Sequence, residues 1–267
     1  MFELHYEPFI INDKLKTWEI AVVPWDTETF GFGVSVLNPM YDKDSIGNPV
    51  PLKNALEVYS ESKRVDMITA SIPAMQMKIS FLLQTAGFRL IDTALSVRYE
   101  NLHAYSDKDS TELSLTPVVP SEMEFLVDMA GTSFHHGRYH MDPRLPNALA
   151  DRRYKDWISR SFDSRNPQQV LTAKVDGAIC GFSVVECGDS RGYLHLHAIG
   201  SIWQGKKLGH EMISQSLRYL YTLGAKSVGT KISASNLRAI NMHARLNGHF
   251  VAADRLLHWH REKENEL

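Results

Sequence analysis

Two histidines spaced two apart, with a loop of glycines and lysines just downstream, carry the first chemical signal in this chain. His195 and His197 lie in Tyr193-Leu-His-Leu-His-Ala-Ile199, whose alternating character predicts a half-buried strand. On a regular strand both imidazoles project from one face. Imidazole titrates near neutral pH, so such a pair can accept a proton directly or through water; the other reading is a pair of sheet histidines satisfied by their neighbours. The next residues include Gln204-Gly-Lys-Lys-Leu-Gly209, after which Leu208, Met212, Ile213, Leu217, Leu220 and Leu223 recur at helical spacing as far as Gly224, a C-terminal cap. A strand that turns through a glycine loop into a helix start points several backbone N–H groups outward together and adds the positive end of the helix dipole. That combination suits an anion, most often a phosphate, and Lys206 and Lys207 strengthen the pull.

Three further groups are candidates. The stretch Ser133-Phe-His-His-Gly-Arg-Tyr-His-Met-Asp-Pro143 holds His136, His140 and Asp142, which are metal-ligand types. No Glu follows His136, and Gly137-Arg138 does not suit a regular zinc helix, so no metal is expected. The stretch reads instead as an active-site loop, with Arg138 on a substrate diphosphate and Tyr139 or Phe134 stacked on a base or sugar, or else as a loop that Arg138 and Asp142 merely brace. His243 follows Asn236 by seven residues, about two helical turns, so the two share a face. Asn236 suits a helix N-cap, and His243 is either a proton donor or an ordinary helix-surface histidine. Trp25 and Phe30, in Pro24-Trp-Asp-Thr-Glu-Thr-Phe-Gly-Phe-Gly33, show no helical period. They cover the substrate side of a cleft or form a buried plug.

These groups need a scaffold, and the chain is long enough to supply one. Its 267 residues are 43% hydrophobic, ordinary for a globular protein with a proper core. A net charge of −2 without a long basic run excludes a general nucleic-acid binder, so any phosphate held belongs to a small molecule. Two cysteines, Cys180 and Cys187, are too few for a disulfide framework. The first residues lack the basic and apolar regions of a leader, and no run approaches 18 apolar residues; a cytoplasmic protein with no membrane partner is expected.

Residues 101–120 are polar and aperiodic and end in prolines, which reads as a connection between two halves. Ser121 and Glu124 have capping-box spacing before a helix with Phe125, Leu126, Met129 and Ala130 on its apolar side. A second helix is expected near 146–162. Two strand-like runs joined at Asp176-Gly177 then predict a hairpin. A faint internal repeat relates 83–98 to 245–261: each copy has a helix end, a Gly, a Phe, an Asp four residues later and an alternating strand. The glycine-and-lysine loop occurs only in the second copy.

In this order the loop, the long helix, the strand Ser227–Ser233, Asn236 opening the next helix and the final Leu246-Asn-Gly-His-Phe250 turn resemble the GNAT superfamily of N-acetyltransferases across about 112–262. The resemblance implies a tandem α/β (α+β) fold with mixed, mostly antiparallel sheets flanked by helices. It implies a degenerate GNAT-like half at 1–105 and a catalytic half at 112–267. The family holds the diphosphate of acetyl-CoA on the amides of a Gln/Arg-x-x-Gly-x-Gly/Ala loop, which maps onto Gln204, Gly205, Lys206, Lys207, Leu208 and Gly209, with Ile199 and Asn236 along the pantetheine arm. Lys207 stands where the family prefers glycine, and His243 where it commonly has a general-acid tyrosine. The segments 24–37, 133–143 and 154–158 are similar, more particularly, to the family of bacterial dTDP-fucosamine acetyltransferases and their relatives. That similarity implies an acceptor amine on a nucleotide-linked amino sugar, with acetyl-CoA as co-substrate, and it leaves a homodimer open.

Overall fold

The computed structural model describes residues 4–10, 17–39, 49–105 and 112–262. In chain order the elements are β1 (Glu7–Ile10), β2 (Thr17–Val22), α1 (Pro24–Phe30), β3 (Gly33–Asn38), α2 (Pro49–Lys63), β4 (Val65–Pro73), α3 (Met77–Thr85) and β5 (Arg89–Tyr99). They continue with β6 (Leu113–Pro117), α4 (Met123–Ser133), the short α5 (Arg138–Met141), α6 (Asn147–Ser161), β7 (Gln168–Val175), β8 (Ala178–Gly188) and β9 (Arg191–Ile199). Last come α7 (Leu208–Thr222), β10 (Ser227–Ser233), α8 (Leu237–Arg245) and β11 (His249–His260).

The chain forms two compact units that do not follow its two halves. Among the described residues, one takes 4–10, 17–39, 49–94, 141–144 and 253–262, and the other 95–105, 112–140 and 145–252. In the first, the strands run in the order β1-β2-β3-β4-β11, antiparallel except for the parallel β3–β4 pair. Asp254–His260 of β11 pairs with Met67–Pro73 of β4, and Leu257 and Trp259 enter a core with Trp18, Ile20, Leu56 and Ile68. In the second, the order is β5-β10-β9-β8-β7-β6, with β9–β10 parallel and β6 through β9 antiparallel. Val97 and Tyr99 at the end of β5 join a core with Leu194, Ile213, Leu217 and Leu220, while α4 and α6 cover the sheet through Leu126, Ile158, Val184 and Leu196. Each unit is thus completed by the last part of a strand from the other half of the sequence, 95–99 of β5 and 253–260 of β11, and these two strands are the ones that end the internal repeat.

Local signals account for most of these elements. Asp176 and Gly177 both have positive φ, 50° and 80°, between the paired Val175 and Ala178, as a tight two-residue hairpin requires. Gly224, at φ 91°, follows α7 in the left-handed region where a glycine has no Cβ penalty.

Three expectations change. The stretch containing Trp25 and Phe30 is a helix, opened by Pro24 and closed by Gly31 at φ 75°; seven residues are too few to display a period. The connecting stretch 101–120 is only partly a connection. Leu102–Tyr105 form a 3-10 turn with Leu102 and Tyr105 buried, and Leu113–Pro117 pair with Leu171–Val175. The helix cap falls two residues before the spacing of Ser121 and Glu124 suggests, since the Glu122 carboxylate accepts the Val119 N–H at 3.3 Å. Burial would raise the pKa of Glu122, but hydrogen bonds from Lys174, Thr172 and Val119 outweigh it and hold the group ionised.

Candidate active site

The β9–β10 ladder pairs Arg191–Leu194 with Ser227–Thr230 and closes with a Thr230 hydroxyl donated to the Leu194 carbonyl at 2.9 Å. Beyond it, His195–Ile199 and Lys231–Ser233 continue as strands without pairing to one another. At the far end of this unpaired stretch lies the glycine-and-lysine loop. Gln204 reaches back to the Ile199 carbonyl through Nε2 at 3.3 Å. Gly205 has φ 83°, with open space where a Cβ would stand, and Lys207 occupies the left-handed region at φ 63° as the residue preceding α7. Lysine is therefore accommodated where a glycine would be unstrained, at a modest conformational cost. Among the described residues, no protein acceptor takes the N–H groups of Gly205, Lys206 or Lys207. With the fifteen-residue α7 starting next to them, these donors face solvent as a preformed anion cradle. The Lys206 ammonium rests 4.8 Å from the centre of the Trp203 ring. Gly209 lies against Ile199 and Met242, with room for no more than a methyl group in ordinary contact.

His195 and His197 do not share a face. Val184 pairs with Leu196 and Val185 with Leu194, so His195 is an extra residue, a β-bulge in β9. On one side of the bulge Leu194 packs with the α7 residues Ile213 and Leu217; on the other Leu196 packs with α4 and α6 through Leu126 and Ile158. The alternation of β9 therefore changes hand at His195. Its Nε2 donates to the Glu186 carboxylate at 2.9 Å, and its ring stacks on Tyr193 and tilts against Trp157 of α6. His197 instead pairs with Ser183, whose hydroxyl accepts from Ser216 of α7, and its ring meets that of His243 edge to face at 5.5 Å. The expectation of two imidazoles side by side is corrected by one inserted residue.

The two faces also differ electrostatically. Burial lowers the His195 pKa, and Glu186 offsets only part of that effect. Burial takes His197 down to about 4. Burial and then the neighbouring His197 take His243 down to about 3. His243 is fully buried, not on the helix surface, and Asn236 caps α8 through an Ala239 N–H accepted at 3.0 Å. A pKa this low favours the uncharged His243 ring at neutral pH, in which one ring nitrogen still carries a hydrogen.

The loop at 133–144 separates into two groups. Tyr139 is buried, with the Arg138 and Arg153 guanidinium groups 4.8 and 4.6 Å from its ring centre, and Arg153 also lies 5.2 Å from the centre of Trp157. Phe134 stacks on Tyr154 at 4.4 Å and meets Phe182 edge-on in the core. Tyr139 is enclosed by these contacts, whereas Phe134 remains half-buried. Arg138 donates to the Tyr139 hydroxyl and has no carboxylate partner among the described residues. A row of cations and aromatic rings, Arg138–Tyr139–Arg153–Trp157, thus leads to His195. Trp25 is half-buried on α1 of the other unit.

The three metal-ligand types in this loop do not converge. His136 Nδ1 faces the Ser235 hydroxyl at 3.5 Å, and His140 Nε2 donates to Asp151 at 2.8 Å. Asp142, fully buried, accepts from Arg144 Nε, His258 Nδ1 and His260 Nε2, each at 2.9 Å. Burial alone would raise its pKa, but these hydrogen bonds hold the carboxyl well below the usual range. Asp142 therefore braces the first unit. Among the described residues, two sets, His135–His140–Asp151 and Asp142–His258–His260, bring ligand atoms within 4.8 Å of one another, and Arg144 already occupies the carboxylate of the second.

Residues 134–249 match the model of the Acetyltransferase (GNAT) family. This part of the chain is similar to that family. The fold extends beyond it. A GCN5-related N-acetyltransferase from Sphaerobacter thermophilus superposes with a TM-score of 0.65 at 12% identity, covering 94% of this chain and 78% of that one. A tandem GNAT protein from the clavulanic acid biosynthesis pathway gives 0.60 at 13% identity, covering 94% and 80%. In sequence, the chain is 22% identical over 217 residues to the spore coat polysaccharide biosynthesis protein SpsD of Bacillus subtilis (strain 168), covering 81% of this chain and 74% of that protein. GNAT enzymes use acetyl-CoA as co-substrate. No helix among the described residues is long and apolar enough to cross a membrane.

The matched segment holds the loop and the histidines that the sequence singles out. Three residues that sequence reasoning passed over contact these candidate groups. Glu186 was signalled only as a carboxylate in an otherwise apolar strand, and Arg153 as one charge on an amphipathic helix. Tyr99 lies outside the matched segment, and only the exchange of β5 brings it to α8.

Proposed function

We propose that the chain transfers the acetyl group of acetyl-CoA to the amine of a nucleotide-linked amino sugar, with the coenzyme in the 112–267 half and a degenerate GNAT-like copy at 1–105. The observation that carries the reading is the cradle of unpartnered amides at 205–207, set where β9 and β10 stop pairing and α7 begins. The residues present suit the coenzyme: Gln204 to Gly209 for its diphosphate, Ile199 and Asn236 along its arm. When bound, acetyl-CoA supplies an acetyl thioester, activated for attack by a neutral amine. His195, oriented by Glu186 with its Nδ1 lone pair unused by that bond, accepts the proton of the amine. Arg138 offers a forked cation to the acceptor's diphosphate, and Trp25 belongs to the proposed acceptor side by its sequence resemblance. His197 and His243 lie on the opposite face of β9 and act on the coenzyme side.

A sugar acceptor is supported by the similarity to a protein named for polysaccharide biosynthesis. A dTDP-linked 4-amino-4,6-dideoxyhexose is the specific form proposed. Thiol release from acetyl-CoA should be measured against a panel of nucleotide amino sugars, simple amines and peptides. Turnover of the nucleotide sugars at least about a hundredfold above the others in kcat/KM is expected. Preference for a simple amine or a peptide would replace the acceptor, and no turnover with any would leave a coenzyme-binding protein.

A further inference from the structure

We propose that Tyr99 holds His243 in the tautomer with its proton on Nε2, so that the neutral ring presents an N–H donor to the negative charge that develops on the thioester. The assignment of His243 to that charge rests on the acetyltransferase reading; the tautomer does not.

The geometry decides the tautomer. Tyr99 is fully buried and its hydroxyl lies 2.5 Å from His243 Nδ1. No other partner for either group occurs among the described residues. If Nδ1 carried the proton, the phenol hydrogen would be left without an acceptor and the Nε2 lone pair without a donor, two buried polar groups unsatisfied. If Tyr99 donates to Nδ1, only the Nε2–H remains unpaired. Each orphaned polar group costs roughly 1–3 kcal/mol, so the second arrangement wins. Burial raises the Tyr99 pKa, which keeps the phenol protonated and able to donate.

The elements around the pair are built for this contact. Gly248 receives no side chain because a Cβ there would stand 2.6 Å from Val97 Cγ1, 2.9 Å from the His243 carbonyl oxygen and 3.2 Å from the Tyr99 ring. Tyr105, edge-on to Tyr99, donates its hydroxyl to the Leu246 carbonyl, so two tyrosines from one segment grip the end of α8. The ring they fix lies edge to face with His197, which sits on the part of β9 that β10 leaves unpaired.

The orphaned Nε2–H is therefore a preorganised donor. It needs no ionisation and loses no proton in the step: the C–S bond breaks as the C–N bond forms, and the departing thiolate takes its proton from solvent. Tyr99 is a positioning residue and never touches the reacting atoms.

The test has two arms. Long-range nitrogen–proton NMR of the histidine rings, with His243 assigned by its loss in His243→Gln, should show the Nε2–H tautomer at pH 7 in the protein without substrates. Tyr99→Phe, which preserves the ring packing, should turn this into a mixture of tautomers. In thiol release it should lower kcat about three- to tenfold, the worth of one net hydrogen bond, with the KM for acetyl-CoA within about twofold. An imidazolium or Nδ1–H tautomer in the unmodified protein, or a Tyr99→Phe ring spectrum identical to it, would overturn the proposal. So would a normal tautomer effect with unchanged kcat. Because the spectra are taken without substrate, the absence of acetyl transfer is read separately and counts against the functional reading instead.

Discussion

A histidine that folding buries without an anion is forced to be neutral, and this decides what His197 and His243 can do and what they cost. Their ordinary pKa is about 6.5. In the folded protein they fall to about 4 and about 3, chiefly through burial. Below pH 6.5 the unfolded chain binds protons that the folded protein refuses, so stability is present above that pH and is lost as pH falls toward 4 and 3. Each group contributes up to about 1.4 kcal/mol per pH unit across its window. Urea unfolding at pH 7 and pH 5 should show the loss, and His243→Gln should lessen its slope with pH. A variant whose slope equals that of the unmodified protein would mean that His243 protonates readily in place.

At the scale of elements, the decisive features are the end of β9 and the bulge within it. The loop offers three unpartnered amides beside the start of α7, which stabilises an anion most strongly within the first turn. Gly205→Asp would place a carboxylate there on a backbone at φ 83°, both strained and repulsive. Calorimetry with acetyl-CoA should show affinity reduced by at least about a hundredfold, from charge repulsion at short range. Gly205→Asn tolerates the same left-handed backbone without the charge and should lose far less. Equal affinities for the folded Asp variant and the unmodified protein would remove the phosphate role of the loop. The bulge carries a different consequence. It gives the α6 face a histidine held by Glu186 and the α7 face a histidine against His243, so one strand presents an imidazole on each face.

For the whole molecule, the exchange of last strands makes the two sequence halves interdependent. Without Val97 and Tyr99 the second unit loses two fully covered core side chains, and without Leu257 and Trp259 the first loses two more. Large-to-small changes at such sites cost about 2–5 kcal/mol each, so losing two of them is comparable with the usual net stability of a domain, roughly 5–15 kcal/mol. Fragments 1–105 and 112–267, produced separately, should therefore fail to unfold cooperatively, whereas co-expression should yield a folded pair. Thermal scans on each fragment and on the pair check this. A fragment that melts alone at the temperature of the intact protein would show that the exchange is dispensable. The fold of each unit is still the one the tandem resemblance implies, a mostly antiparallel mixed sheet with flanking helices.

The sequence by itself determined whatever depends on short-range chemistry. The period of 208–223 marks α7, Asp176-Gly177 forces the hairpin, Asn236 caps α8, and glycine at 205 permits the left-handed turn that exposes the amides. Each of these is a preference of a few adjacent residues, so it is legible without the partner. Only the tertiary structure decided the rest. Whether His195 and His197 share a face depends on which residue of β8 each one meets, and the one-residue offset appears in neither strand alone. Tyr139 looks available for a ligand until Arg138 and Arg153 are placed against it. His243 looks like a titrating acid until burial against Tyr99 and His197 takes away its charge. Tyr99 is separated from it by 144 positions, and only the packing of β5 against α8 makes them partners.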